Sequence, residues 1–133
     1  MDNKVKKHLL DTVAHDLFLV KSSIDNIENK YTKHTIAKQL YLAIETLFVY
    51  LTEYDALKDK LKGLDIDICY LCGLCKKRHI FVPNYIIKNI VVLKEWNYNA
   101  SYNATWTIRI NTLKITLQEV EKWYNDIKNG IEL

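Results

Sequence analysis

Apolar residues recur in the N-terminal stretch of the chain at spacings of three and four, which is the pattern of one face of an α-helix. This stripe consists of Val5, Leu9, Val13, Leu17, Val20, Ile24 and Ile27. Asp2 or Asn3 is placed to cap the start of the helix, and the polar run 26–30 ends the pattern. The spacing therefore predicts a long first helix that buries one face.

A second stripe follows the same period and predicts a second long helix. It consists of Ile36, Leu40, Ala43, Leu47, Leu51, Tyr54 and Leu57. Thr32 is the expected start, because its hydroxyl accepts a hydrogen bond from an early helix amide. Gly63 is the expected stop, since it follows three lysines and tolerates the left-handed conformation that ends many helices.

The rest of the chain predicts two shorter helices and a long closing one. A short third helix starts at Asp65 and Asp67, and Pro83 separates it from a fourth that runs to Trp96. A strand is the alternative for the fourth segment, which is rich in β-branched residues. The stretch 97–103 is typical of a loop, and the last helix runs from Trp106 to the ending Lys128-Asn129-Gly130.

These elements predict an all-α fold, an antiparallel up-and-down bundle of four to five helices in one domain over residues 1–133. The composition agrees, because 133 residues with three Gly and one Pro suit few loops and one core. No apolar run approaches a membrane span. Asp11, His15 and Asp16 interrupt the apolar run after the first lysines, so we expect no signal peptide and a cytoplasmic location. The net charge of +3 permits an anionic partner without arguing for one.

The pattern Cys69-x2-Cys72-x2-Cys75-x3-His79 combines ligand types that bind zinc or iron. It lies inside a helical pattern with leucines interleaved, and it lacks a second ligand cluster. Burial of the cysteines as small apolar residues is therefore favoured over a metal site, and no metal or other cofactor is expected. The basic run 76–79 fits the cationic last turn of a helix better than a phosphate contact.

Three further features are candidates for binding. Glu45 lies in an apolar stretch of the second helix, where a carboxylate needs a partner such as a histidine, Arg109 or an interior tyrosine. His15 and Asp16 are adjacent on the first helix and could form an acid–base pair, but adjacent helical side chains point in different directions, which disfavours this interpretation. Aromatic residues cluster around the predicted fourth loop, where they either pack between helices or stack on bases: Trp96, Tyr98, Tyr102 and Trp106.

Taken in order, these pieces resemble the HEPN domain family, helical bundles that accompany minimal nucleotidyltransferases and recur in toxin–antitoxin and phage-defence systems. The segment 14–17 (Ala-His-Asp-Leu) is similar to that family's early Ala-x-Asp-Leu. The segment 39–47 resembles its Gln-Ala-Val-Glu-Lys-x-Leu helix, and 95–103 stands where the family has a Tyr-x-x-x-Arg-Tyr-Pro-like segment. The resemblance covers nearly the whole chain through helix order and short motifs.

The departures from the family pattern bear on function. Thr46 stands where the family often has Lys, and Ser101 where it often has Arg. The family's ribonucleases carry an Arg followed four to six residues later by a His, in which Arg stabilises phosphate charge and His acts as acid or base. Neither Arg78 nor Arg109 is followed by such a His.

The resemblance without that motif implies a non-catalytic HEPN-like binding or assembly module. It would work as a homodimer or beside a nucleotidyltransferase partner, and its ligand would be a nucleotide or RNA. We expect the ligand near Asp16, Glu45 and Tyr102, between the first, second and fourth helices. Two alternatives remain: a divergent ribonuclease toxin that uses His79 with Arg78 or Arg109, and a metal-binding or redox protein that uses the cysteine cluster.

Overall fold

A computed structural model describes residues 1–54 and 67–130 of the chain. They form the helices α1 (Asn3–Ile24), α2 (Lys30–Thr52), α3 (Ile68–Lys77), α4 (Asn84–Lys88), α5 (Ile90–Tyr102) and α6 (Ile110–Lys128). No strand occurs within these residues, so the predicted all-α class is confirmed and the alternative of a strand near Pro83 is wrong. None of the helices in the described ranges is long and apolar enough to cross a membrane.

The helix starts follow from side chains that satisfy the first backbone amides. The Asp2 carboxylate accepts a hydrogen bond from the Val5 amide, as predicted for the cap of α1. Asn29 accepts from the amides of Tyr31 and Thr32, so α2 begins just before the start predicted at Thr32. Asp67 caps α3 in the same way through the Tyr70 amide.

Neighbouring helices α1 and α2 are antiparallel and make the most extensive contact in the bundle. The Lys6 ammonium lies over the Tyr50 ring, 4.6 Å from its centroid, which places the start of α1 beside the end of α2. Helix α6 also runs antiparallel to α1, because Lys21 pairs with Glu121 while Asp25 lies 3.9 Å from Lys114. The predicted up-and-down arrangement therefore holds for these three long helices.

The two predicted stripes supply much of the core, but Val5 is 44% exposed and Leu57 lies outside the described residues. Helix α2 lies at its centre and contacts α1, α3, α5 and α6. The Phe48 ring meets the Trp123 ring of α6 edge to face at 5.1 Å between centroids. The largest completely buried apolar side chains of α2 are Ile36, Leu40, Ile44, Leu47 and Phe48. Burial of this central helix on several sides is the main contribution to the stability of the bundle.

Several predicted boundaries were wrong, and one of them is the start of the last helix, which lies at Ile110 rather than Trp106. The predicted fourth helix is divided at Asn89, whose side-chain amide donates to the Tyr85 carbonyl at 2.8 Å and competes with the helical hydrogen bonds. The stretch 97–103, predicted as a loop, continues α5 as far as Tyr102. Helix α2 ends at Thr52, where Glu53 adopts a left-handed φ of 51°; the predicted stop at Gly63 and the start at Asp65 lie outside the described residues.

Candidate functional site

Asp16 lies half-buried on α1, beside the stripe that faces the core. Burial raises the pKa of its carboxyl above the usual value, and the neighbouring His15 partly offsets this. The His15 side chain is itself exposed. Within residues 1–54 and 67–130 no hydrogen bond or ion pair reaches the Asp16 carboxylate. Asp16 is therefore a half-buried carboxylate with no hydrogen-bond or ion-pair partner among the described residues.

Glu45 does have the partner that its position requires. The Tyr41 hydroxyl donates a hydrogen bond to the Glu45 carboxylate across one turn of α2, at 3.1 Å. Tyr41 is buried, and this burial together with the charge of Glu45 raises the pKa of the phenol far above its ordinary value. Of the partners considered from the sequence, an interior tyrosine is the one found.

The carboxylate of Asp67 and the thiol of Cys69 lie close enough to Tyr41 to raise its pKa further. They bring α3 to the junction between α2 and α5. Asp67 pairs with Lys94 of α5 at 3.4 Å, and the Cys69 thiol lies 3.9 Å from the Ile90 carbonyl. This polar junction joins three helices through partners that are already satisfied by one another, which makes it a structural feature rather than an open site.

The aromatic cluster divides into two groups. Trp96 is buried, and its ring lies 6.5 Å from that of Trp106, so the two tryptophans pack between helices. Tyr98 and Tyr102 point outward from α5 with rings 5.4 Å apart, and Tyr102 is 78% exposed. The sequence left packing between helices and stacking on bases as alternatives for this cluster. The two tryptophans pack between helices, whereas the two tyrosines are exposed.

The three residues predicted to lie near a ligand are on three different helices. Asp16 lies on α1, Glu45 is bonded within α2, and Tyr102 projects from the end of α5. No hydrogen bond or ion pair between residues of the described ranges joins any two of them. A ligand site near these three side chains remains a prediction.

A groove that the sequence did not single out lies between the first half of α2 and the end of α5. It is open to solvent and has a volume of about 390 Å³. The Lys38 ammonium donates to the Ser101 hydroxyl at 2.9 Å and so joins its two walls. The side chains that line the groove are Tyr31, His34, Thr35, Lys38, Gln39, Leu42, Ala100 and Ser101.

The wall of the groove is fixed by His34. This side chain is buried, and a ring nitrogen hydrogen-bonds to the Trp106 carbonyl in the segment that connects α5 to α6. The His34 ring also stacks at a tilt on Trp106, with 5.2 Å between centroids, and meets Tyr31 edge to face at 6.3 Å. His34 thus ties the α5–α6 connection to α2 and supports Tyr31, which is 62% exposed at the rim.

The cysteines lie on one side of α3. Cys75 is completely buried in the core, as predicted for a small apolar residue, whereas Cys69 and Cys72 are half-buried. Burial raises the pKa of all three thiols, and that of Cys75 to about 11. Among the described residues, no three His, Cys, Asp or Glu side chains are grouped as a metal site requires. His79 is exposed beyond the helix end, with a φ of 58°.

The basic run at the end of α3 has a structural role. The Arg78 guanidinium donates to the Thr52 carbonyl at 2.7 Å and so satisfies an acceptor at the C-terminal end of α2. Lys76 and Lys77 lie in the last turn of α3, where cations favour the helix dipole. Arg109 is exposed at the start of α6.

Comparison with known proteins does not identify a family for this chain. The chain matches no family model, and no curated protein or solved structure is significantly similar to it.

Proposed function

We propose that this protein is a non-catalytic HEPN-like module that acts by assembly and binding, within a toxin–antitoxin or defence system. The order and lengths of the helices are compatible with that family, whose motifs the segments 14–17 and 39–47 resemble. Arg78, one of its two arginines, donates its guanidinium to a backbone carbonyl of α2, which gives it a structural use. Neither arginine is followed at family spacing by a histidine, so the proposal excludes the ribonuclease mechanism.

The observation that carries the assembly part is the exposed apolar surface of α4 and α5. We call it the α5 face; its members are Ile87, Val91, Val92, Tyr98 and Tyr102, exposed by 48% to 78%. Val91, Tyr98 and Tyr102 are seven and four residues apart and so share one side of the helix. The exposed Glu95 lies on the same side, between Val91 and Tyr98. Exposed apolar side chains gathered along a helix in this way are typical of a contact with another protein. A second copy, related by a two-fold axis, would cover the α5 face with itself.

A minimal nucleotidyltransferase is the partner that the family resemblance implies. In this proposal the bundle supplies a binding surface and the partner supplies the chemistry. A nucleotidyltransferase gene beside the gene for this chain, with co-purification of the two products, would support this pairing. Recovery of the bundle alone after co-expression with such a neighbour would contradict it.

The assembly proposal is tested by sedimentation at micromolar concentration. We expect a species of twice the 15.7 kDa chain mass. A Val91→Asp substitution places a charge on the α5 face and should give a monomer, because a buried unpaired carboxylate is costly. Ile115→Asp is the matched control, since Ile115 is 48% exposed on α6 and lies outside that face. A monomeric wild-type chain that purifies without a partner would contradict the proposal.

A further inference from the structure

We propose that the groove between α2 and α5 binds a nucleotide, with the phosphate at Lys38 and the base against Tyr31. This inference rests on the proposed function, in that it assigns a ligand class and a position to its binding role. The chemistry is common to a free mononucleotide and to a nucleotide of single-stranded RNA. None of the three residues predicted from the sequence as ligand-binding lines the groove.

Lys38 is the one Lys, Arg, Asp or Glu among the described residues that line the groove. The two stretches that build its walls, residues 29–44 and 96–109, contain no Asp or Glu. They contain Lys30, Lys33, Lys38 and Arg109. The two stretches therefore carry four positive charges, against a net charge of +3 for the whole chain, and Glu28, Glu45 and Glu95 directly flank them. A local basic surface of this kind attracts phosphate groups in a way that a weak total charge does not.

Lys38 is held in place without being neutralised. Its partner is the neutral Ser101 hydroxyl at 2.9 Å, and no carboxylate of residues 1–54 or 67–130 lies within ion-pair distance of it. An ammonium has three donors, so two remain for a phosphate that enters the groove. The Ser101 hydrogen bond orders the side chain before binding, which lowers the entropic cost of holding a ligand.

Tyr31 supplies a surface for a base. Its ring is 62% exposed and is braced by His34, which is in turn hydrogen-bonded to the Trp106 carbonyl. Aromatic rings at a groove rim bind bases by stacking. Tyr31 and Lys38 are seven residues apart on α2, about 10 Å along the helix axis, which is comparable to the extent of a nucleotide from base to phosphate. Gln39, next to Lys38 in the lining, offers a donor and an acceptor to the ligand.

The test uses the full chain with two probes, AMP followed by tryptophan fluorescence and a fluorescein-labelled oligoadenylate followed by anisotropy. We expect Lys38→Ala and Tyr31→Ala each to weaken binding about tenfold, and Lys38→Glu to weaken it more. With oligoadenylate, Lys38→Ala should also lower the slope of log affinity against log salt by about 0.7. Binding of AMP alone or of oligoadenylate alone identifies the source of the ligand.

Lys128→Ala and Phe18→Ala are matched controls, because both side chains are exposed outside the groove. They should bind like wild type, and thermal melts should show all variants folded. Failure of wild type to bind either probe, or unchanged binding by the groove variants, would overturn the inference. A monomeric chain whose binding is lost in the Lys38 and Tyr31 variants would contradict the assembly proposal and leave the groove assignment intact. A dimer whose binding is unaffected by the groove substitutions would contradict the groove assignment and leave the assembly proposal intact.

Discussion

The Tyr41 hydroxyl donates to the Glu45 carboxylate one turn further along α2, over 3.1 Å. This contact gives the buried phenol an acceptor and gives the half-buried carboxylate a donor. It also explains why a Glu is accommodated in an otherwise apolar stretch, since a polar group near a core is tolerated when it is hydrogen-bonded.

Removal of this hydroxyl should destabilise the bundle. We expect Tyr41→Phe to lower the free energy of unfolding by about 1 kcal/mol, because one hydrogen bond is lost and the ring still fills its place. Glu45→Gln keeps an acceptor and should cost less. Urea denaturation measures both, and equal midpoints for Tyr41→Phe and wild type would show that the contact contributes nothing.

Tyr41 also predicts a loss of stability at alkaline pH. Burial and Glu45 raise the pKa of its phenol above the ordinary 10.0, so the folded state keeps a proton that the unfolded state releases. The associated stability is complete below pH 10 and falls as pH rises beyond it. Thermal melts from pH 8 to 11 should show a shallower decline for Tyr41→Phe than for wild type. Tyr102→Phe, at an exposed position, should follow wild type; a decline in Tyr41→Phe as steep as that of wild type would contradict the assignment.

The buried thiol of Cys75 should resist alkylation. Its pKa of about 11 leaves almost no thiolate at pH 8, and the side chain is completely buried. Mass spectrometry after brief iodoacetamide treatment should find Cys75 unmodified in the native protein and modified in urea. Added zinc should not change this pattern if the cysteines serve the core. Labelling of native Cys75 as fast as in urea, or protection of Cys69 and Cys72 by zinc, would contradict this interpretation.

Asp16 should reduce stability at neutral pH. Since burial raises the pKa of its carboxyl, the folded state binds the proton more tightly than the unfolded state does. Its contribution is therefore most favourable below the unfolded value of 3.8 and is lost as pH rises through the folded pKa. Asp16→Asn should raise the Tm at pH 7, with a gain that shrinks towards pH 4. Asp11→Asn, at an exposed position of the same helix, is the control, and an equal or greater gain there would refute the argument.

The bundle was predictable because its signals are local. Capping by Asp2 and the glycine ending at Gly130 depend on residues within one turn, and the apolar stripes depend on helical period alone. The extension of α5 through 97–102 was not predictable in this way. Asn and Tyr are only moderate helix formers, and packing of the preceding Leu93 and Trp96 overrides their preference.

The groove could not be predicted from period or spacing. Lys38 and Ser101 are 63 residues apart, and nothing in either segment indicates that their helices are neighbours. The sequence did carry one signal, the absence of acidic residues from 29–44 and 96–109. Conversely, the grouping of Asp16 with Glu45 and Tyr102 relied on family motif order, which fixes helices but not the side of each helix that a residue occupies.

The central claim, that this bundle binds and assembles without cleaving RNA, is tested most directly by prolonged incubation of the purified chain with labelled single-stranded RNA. The account predicts RNA of unchanged length at the end of the incubation, for wild type and for His79→Ala alike. Shorter fragments produced by wild type and absent with His79→Ala would contradict it and would make the protein a ribonuclease.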